Sequence, residues 1–173
     1  MPTPYKNDRI DLSIMDDCME EIASLASGTD KIIVIKSSVV PGTTRNYSKQ
    51  YGDCNFCFNP EFLTEANYLQ DFVNADRIVV GADGDHTSLR VTALYRERFP
   101  TTPLYQTDLT TAEMVKYMAN CFLATKVLFA NEMFDLCRSL GIQYDEVKKL
   151  VVADPRIGPT HLDVTSVRGF GGK

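Results

Sequence analysis

Two pairs of polar residues have the types and spacing to do chemistry. Asn59-Pro60-Glu61-Phe62-Leu63-Thr64-Glu65 follows a strand-like segment. Asn59 can cap a helix, Pro60 suits its first turn, and Glu61 and Glu65, four apart, then share one face. Two carboxylates at the carboxyl end of a strand lie where open α/β sheets bind ligands, which suits acid–base work or polar substrate contact. The same pair equally reads as two solvated acids completing a helix N-terminus. Lys116 and Asn120 are also four apart, among Val115, Met118, Ala119, Cys121 and Phe122, so one helical stripe presents both. An ammonium and an amide held side by side are donors for a developing oxyanion or a phosphate. A snorkelling lysine beside a hydrogen-bonded core asparagine is the plainer alternative.

Other constellations are weaker. The stretch Ser37-Ser38-Val39-Val40-Pro41-Gly42-Thr43-Thr44 puts hydroxyls and free backbone groups directly after a strand, a place for cofactor or phosphate contact. Neither G-x-G-x-x-G nor G-x-x-x-x-G-K-[ST] occurs, so no phosphate fingerprint is complete. Cys54 and Cys57 form a C-x-x-C, but no second such pair or nearby His completes a four-ligand metal site, and no metal is expected. The remaining cysteines, Cys18, Cys121 and Cys137, make an odd total of five, which fits reduced thiols and a cytoplasmic setting. His86 and His161 are isolated, and Asn46-Tyr47-Ser48 matches a glycosylation acceptor without any sign of secretion.

The elements that must position these groups follow from composition and periodicity. In 173 residues, 44% hydrophobic and 24% charged, there is room for one domain or one and part of a second, and disorder is excluded. The net charge of −5 with no basic run argues against nucleic-acid binding. The longest apolar run, Ile32 to Ile35, is far too short to span a bilayer. Helical spacing over Asp11 to Ala26 is followed by the β-branched strand at Lys31 to Ser37. Helix and strand then alternate: a helix over Thr43 to Gln50, a strand over Asn55 to Phe58, a helix from Pro60, a strand over Arg77 to Gly81, a helix over His86 to Arg98, and a strand over Leu104 to Gln106. Such alternation predicts an α/β domain with a mainly parallel sheet.

Beyond Asp108 the pattern changes. Thr110-Thr111-Ala112-Glu113 has capping-box spacing and opens a single long helix that runs to Gly141, apolar on more than one face and expected to be buried against several neighbours. A short helix is predicted over Asp145 to Val152, before Asp154-Pro155-Arg156-Ile157-Gly158-Pro159 breaks the chain. The domain boundary is placed near residue 108, giving domains at 1–108 and 109–173. The glycine-rich end at Arg168 to Lys173, and a start that enters a core helix almost at once, are expected of a piece of a longer protein.

Taken together, five segments in order resemble the UDP-glucose/GDP-mannose dehydrogenase family. They are Pro2-Thr3-Pro4, Lys36 to Thr43, Asn59 to Glu65, Glu113 to Tyr117 with Asn120 to Ala124 and Asn131-Glu132, and Asp154 to Gly158 leading to Gly169-Phe170-Gly171-Gly172. Pro155-Arg156-Ile157-Gly158 is more similar to the UDP-glucose branch. The resemblance implies an α/β fold: the C-terminal part of a Rossmann-like parallel-sheet NAD domain, followed by an all-helical central dimerisation domain. A UDP-binding domain would lie beyond, the glycine-rich NAD loop upstream of Met1, and the nucleophilic Cys just after Lys173. This chain alone would then be inactive, and none of its five cysteines is the nucleophile.

The resemblance further implies oxidation of the C6 alcohol of UDP-glucose to UDP-glucuronate by two hydride transfers to NAD, through a thiohemiacetal and a thioester. GDP-mannose or a UDP-N-acetyl sugar is the alternative substrate, and a non-catalytic dimerising module the alternative role. By the match, Glu61 serves as base or water organiser, and Lys116 and Asn120 stabilise the oxyanion. Thr3, Ser38 and Glu65 approach NAD, and Phe62 and Leu63 line the sugar pocket. Arg156 acts near a subunit boundary, and Asp163, Val164, Thr165, Ser166, Val167 and Gly171 form a substrate loop. Two departures are visible: Met1 stands for an expected Val, and Ser38 for the usual Thr, keeping the hydroxyl. A homodimer or higher homo-oligomer is expected.

Overall fold

A computed structural model describes residues 1–64 and 66–170. Tyr5–Lys6 (β1) and Arg9–Ile10 (β2) form an antiparallel hairpin around Asn7 and Asp8. Both turn residues have φ near +55°, at 51° and 58°, the left-handed geometry that a two-residue hairpin requires and that Asn and Asp tolerate. Strands of two residues carry no periodicity, so the sequence alone does not reveal them.

Helix α1 (Ser13–Ala26) buries Met15, Met19, Ala23 and Ala26, the helical stripe expected of its sequence. Strand β3 (Ile32–Ile35) pairs in parallel with β4 (Asn55–Phe58), Ile32 opposite Asn55 and Ile35 opposite Phe58, with α2 (Thr43–Gln50) between them in the chain. The short helix α3 (Tyr68–Val73) leads to β5 (Ile78–Ala82), and α4 (Asp85–Arg98) to β6 (Leu104–Thr107). The sheet order is β3-β4-β5-β6, and β5 and β6 are parallel. One seam departs from the parallel pattern: β4 and β5 run antiparallel through the pairs Cys57/Ala82 and Phe58/Gly81. Alternate residues feed two cores, as pleating demands. Met15, Met19, Ile33, Ile35, Tyr47, Phe56 and Phe58 belong to one, and Cys57, Ile78, Val80, Val91 and Phe99 to the other.

Helix α5 spans Leu109–Leu140, 32 residues. The capping box expected at its start does not form. Asp108 caps it instead, accepting the Thr110 and Thr111 N–H groups at 3.0 and 3.1 Å and bonding the Thr111 hydroxyl. Glu113 turns away from its own helix and is fully buried, where its carboxylate accepts the Gly42 and Thr44 N–H groups and so caps α2. Packing at the head of α5 is tight enough to require glycine in β5: a Cβ on Gly81 would sit 2.5 Å from the Ala112 Cβ and 2.9 Å from the Asp108 carbonyl.

The chain divides into two compact units, Met1–Tyr117 and Met118–Lys173. In the second, the remainder of α5 and α6 (Tyr144–Val151) enclose Ala130, Cys137, Tyr144 and Leu162, with Phe134 edge-on to Tyr144. The long helix is not buried on several sides as its sequence predicts, since Met118, Phe122, Leu128 and Leu140 are all exposed. Among the described residues no helix is long and apolar enough to cross a membrane.

Candidate active site

The parallel pairing of β3 and β4 brings their carboxyl ends together, so Lys36 and Asn59 emerge side by side. Asn59 is buried, its N–H continues the ladder to the Ile35 carbonyl at 2.9 Å, and its Nδ2 donates to the Val79 carbonyl at 2.7 Å. The Lys36 ammonium donates to the Asn59 side-chain oxygen, to its carbonyl at 3.2 Å and to the Tyr95 hydroxyl at 3.3 Å. Tyr95 in turn donates to the Asn59 side-chain oxygen, closing a triangle between β3, β4 and α4. Lys36 is exposed along its length, yet its charged end is drawn out of water among these groups. That desolvation lowers its pKa, against the opposing pull of Glu61 and Cys57, and burial raises that of Tyr95.

With its side chain committed to these bonds, Asn59 cannot cap a helix. Residues 60–64 are irregular and α3 begins only at Tyr68, so the helix expected from Pro60 is absent, and with it the helical face that Glu61 and Glu65 were to share. Glu65 and Gly171 lie outside the described residues. Glu61 is oriented by its own turn instead, its Oε2 accepting the Leu63 N–H at 2.8 Å, which leaves Oε1 facing the Lys116 ammonium at 3.3 Å. Lys116 is buried and Glu61 one-third exposed. The Phe62 ring has the Arg77 guanidinium 3.9 Å from its centroid and the Lys116 ammonium at 5.5 Å. Lys36, Asn59, Glu61, Phe62, Arg77 and Tyr95 line a cavity of about 380 Å³, with Leu63 on the same wall. A buried ammonium beside a reachable carboxylate can donate to a developing oxyanion while the carboxylate accepts a proton.

Thr3 and Ser38 are also brought together, the Thr3 hydroxyl donating to the Ser38 carbonyl at 2.8 Å. The backbone after β3 is not free for a phosphate, however. The Gly42 and Thr44 N–H groups are held by Glu113 and the Thr43 N–H by the Val40 carbonyl, so a resident carboxylate occupies the N-terminus of α2.

In the second unit the candidate residues are held by local pairs. Asn120 is half-buried on α5. Arg156 forms a two-pronged pair with Asp154 at 3.0 and 2.6 Å, and Asp163 pairs with Lys148 at 2.7 Å. Val164 packs against the unit's core, Thr165 accepts the Arg168 N–H, and Ser166 and Val167 are exposed. Arg168, absent from the sequence-derived site, clasps Asp135 through both terminal nitrogens at 2.6 and 2.7 Å, and Asn131 donates to its carbonyl at 2.9 Å. Its partners lie more than thirty residues upstream, and no local spacing points to them. Lys36, Arg77 and Tyr95 are likewise invisible as site residues to local spacing. All five cysteines are free, and burial pushes the Cys57 thiol up to about 12, which leaves it protonated and unreactive.

Residues 1–99 match the NAD binding domain of the UDP-glucose/GDP-mannose dehydrogenase family and residues 110–173 its central domain, and the chain belongs to that family. It is 40% identical to the UDP-glucose 6-dehydrogenase of Rickettsia bellii over 98% of this chain and 40% of that protein. A UDP-glucose dehydrogenase structure from Pyrobaculum islandicum is 32% identical with a TM-score of 0.80, over 92% of this chain and 39% of that one. A ternary complex of GDP-mannose dehydrogenase from Pseudomonas aeruginosa is 27% identical with a TM-score of 0.80, over 96% and 40%. The chain thus spans about two-fifths of the length of the relatives it matches.

Proposed function

We propose that this chain forms the middle part of an NAD-dependent UDP-glucose 6-dehydrogenase, with the domain boundary near Asp108 and a site centred on Glu61 and Lys116. The observation that carries this reading is the 3.3 Å pairing of those two side chains at the carboxyl edge of a sheet in an NAD-binding family. Thr3 and Ser38 fit the cofactor, since their contact puts a threonine and a serine together beyond the end of β3, and Ser38 is exposed there. When bound, NAD accepts hydride from the sugar carbon. Lys116, joined by Asn120 from the same helix, donates to the sugar oxygen as charge develops on it, and Glu61 takes a proton from water in the hydrolytic half. Phe62 and Leu63 present the apolar wall to the sugar. The family match further assigns Arg156 to a subunit boundary and residues 163–167 with Gly171 to a substrate loop.

UDP-glucose is preferred to GDP-mannose because identity is higher to UDP-glucose 6-dehydrogenases than to the GDP-mannose enzyme. The exposed apolar residues Met118, Phe122, Leu128 and Leu140 on α5 support a homodimer of the cytoplasmic protein, and sedimentation that finds only monomer would remove that assignment. The substrate is tested with the protein expressed from its complete coding frame, assayed for NAD reduction with UDP-glucose, GDP-mannose and a UDP-N-acetyl sugar. Turnover of UDP-glucose alone is expected. Turnover of one of the others instead would reassign the substrate, and turnover of none would leave α5 as a dimerising module without chemistry.

A further inference from the structure

Glu61 is the carboxylate on which the proposed chemistry turns, yet among the described residues its only hydrogen-bond and ion-pair partners are the Leu63 N–H and the Lys116 ammonium. The backbone that delivers it is fixed two residues earlier, at Asn59. Every polar group of the Asn59 side chain is engaged, and three of its partners come from elements far apart in sequence: Lys36 after β3, Val79 in β5 and Tyr95 in α4. Among the described residues Lys36 alone holds both oxygens of Asn59, the side-chain and the main-chain one, so it constrains the backbone as well as the amide. Its ammonium carries no hydrogen bond to a carboxylate among the described residues, although it faces the same cavity as Glu61.

We propose that Lys36, braced by Tyr95, is a positioning residue that locks Asn59 and thereby holds the Glu61 carboxylate in its bond to Leu63 and its approach to Lys116. This rests on the assignment of Glu61 to the site. A lysine suits the task because one ammonium can donate in three directions, which a neutral side chain of similar length cannot do. Tyr95 supplies the hydroxyl that accepts one of those bonds while donating to the same amide oxygen, so the amide's orientation is fixed from both sides.

Amide hydrogen exchange on this chain tests the proposal without turnover. The Leu63 N–H, held by Glu61 at 2.8 Å, reports on the carboxylate, and the Thr44 N–H, held by Glu113 at 2.7 Å, is an internal control for global stability. In Lys36→Met, exchange at Leu63 is expected to accelerate about tenfold or more with Thr44 unchanged, and Tyr95→Phe to give a smaller acceleration at the same amide. Lys36→Arg, which keeps charge and donors, restores most of the protection. In the protein from the complete coding frame, the same Lys36→Met change lowers kcat while leaving KM for NAD near its original value. Unchanged exchange at Leu63, or equal acceleration at Leu63 and Thr44, would overturn the proposal. Faster exchange at Leu63 in a protein that oxidises no nucleotide sugar would uphold the positioning role and overturn the functional reading instead.

Discussion

The loop at residues 59–63 and the segment at residues 154–168 both carry candidate site residues, but they are held by opposite means. In the first, the Lys36 ammonium, the Tyr95 hydroxyl and the Val79 carbonyl converge on one buried asparagine, and nearby a buried ammonium meets a partly shielded carboxylate. In the second, each ion pair has one exposed and one half-buried partner, as in Arg156 with Asp154 and Asp163 with Lys148. Buried polar groups lose heavily when a partner is removed, because water cannot replace it, whereas exposed pairs are already in competition with solvent. Removing a partner should therefore cost more in the first region than in the second.

The largest effect expected on stability is at the buried carboxylate that ties α5 to α2. Glu113→Ala strands the Gly42 and Thr44 N–H groups and should cost about 4 kcal/mol, read by urea unfolding. A loss below about 1 kcal/mol would show that those donors find water, which would break the contrast. Next comes Asn59→Ala, expected to lose about 3 kcal/mol by leaving the Val79 carbonyl and Tyr95 hydroxyl without their partner. Gly81→Ala should lose about 2 kcal/mol by overpacking against Ala112, with the helix forced off β5.

Asp108 sharpens the comparison through pH. Bonds from Thr111 and Thr110, with help from Arg45, hold its carboxyl below the usual carboxylate range. The folded state therefore binds this proton more weakly than the unfolded chain. Its contribution is complete above the unfolded value of about 4 and fades as pH falls through the folded one. Asp108→Asn should flatten the acid limb of the stability curve and leave the slope near neutrality unchanged. The smallest effect belongs to the second region: Arg156→Ala, at an exposed pair, should leave the melting temperature where it was. A clear fall would mean that the Asp154 pairing carries structure that its exposure hides.

Much of the scaffold was legible because it rests on local pattern. The β-branched run at 32–35, the stripe of Met15, Met19 and Ala23, and the uninterrupted stretch from Leu109 to the left-handed Gly141 each declare one element. Glu61 and Lys116 stood out by type and by position after a strand and within an apolar helix, and the structure sets the two side chains 3.3 Å apart. Asn59 and Glu113 were misread for one reason: the spacing around each satisfies a local capping rule, while the partners each has chosen lie 20 to 71 residues away. The antiparallel seam between β4 and β5 was equally hidden, since two paired residues on each strand set its direction and neither strand records it. Local propensity predicts what a residue could do alone, and tertiary partners decide which option it takes.

The most direct test is the buried ammonium itself. In the protein expressed from its complete coding frame, Lys116→Met is predicted to lower kcat for UDP-glucose oxidation by about 10²–10³, with KM for NAD changed by less than about threefold. A kcat within about threefold of the original, in a variant that still folds, would contradict the assignment of Lys116 and Glu61 as the reacting pair.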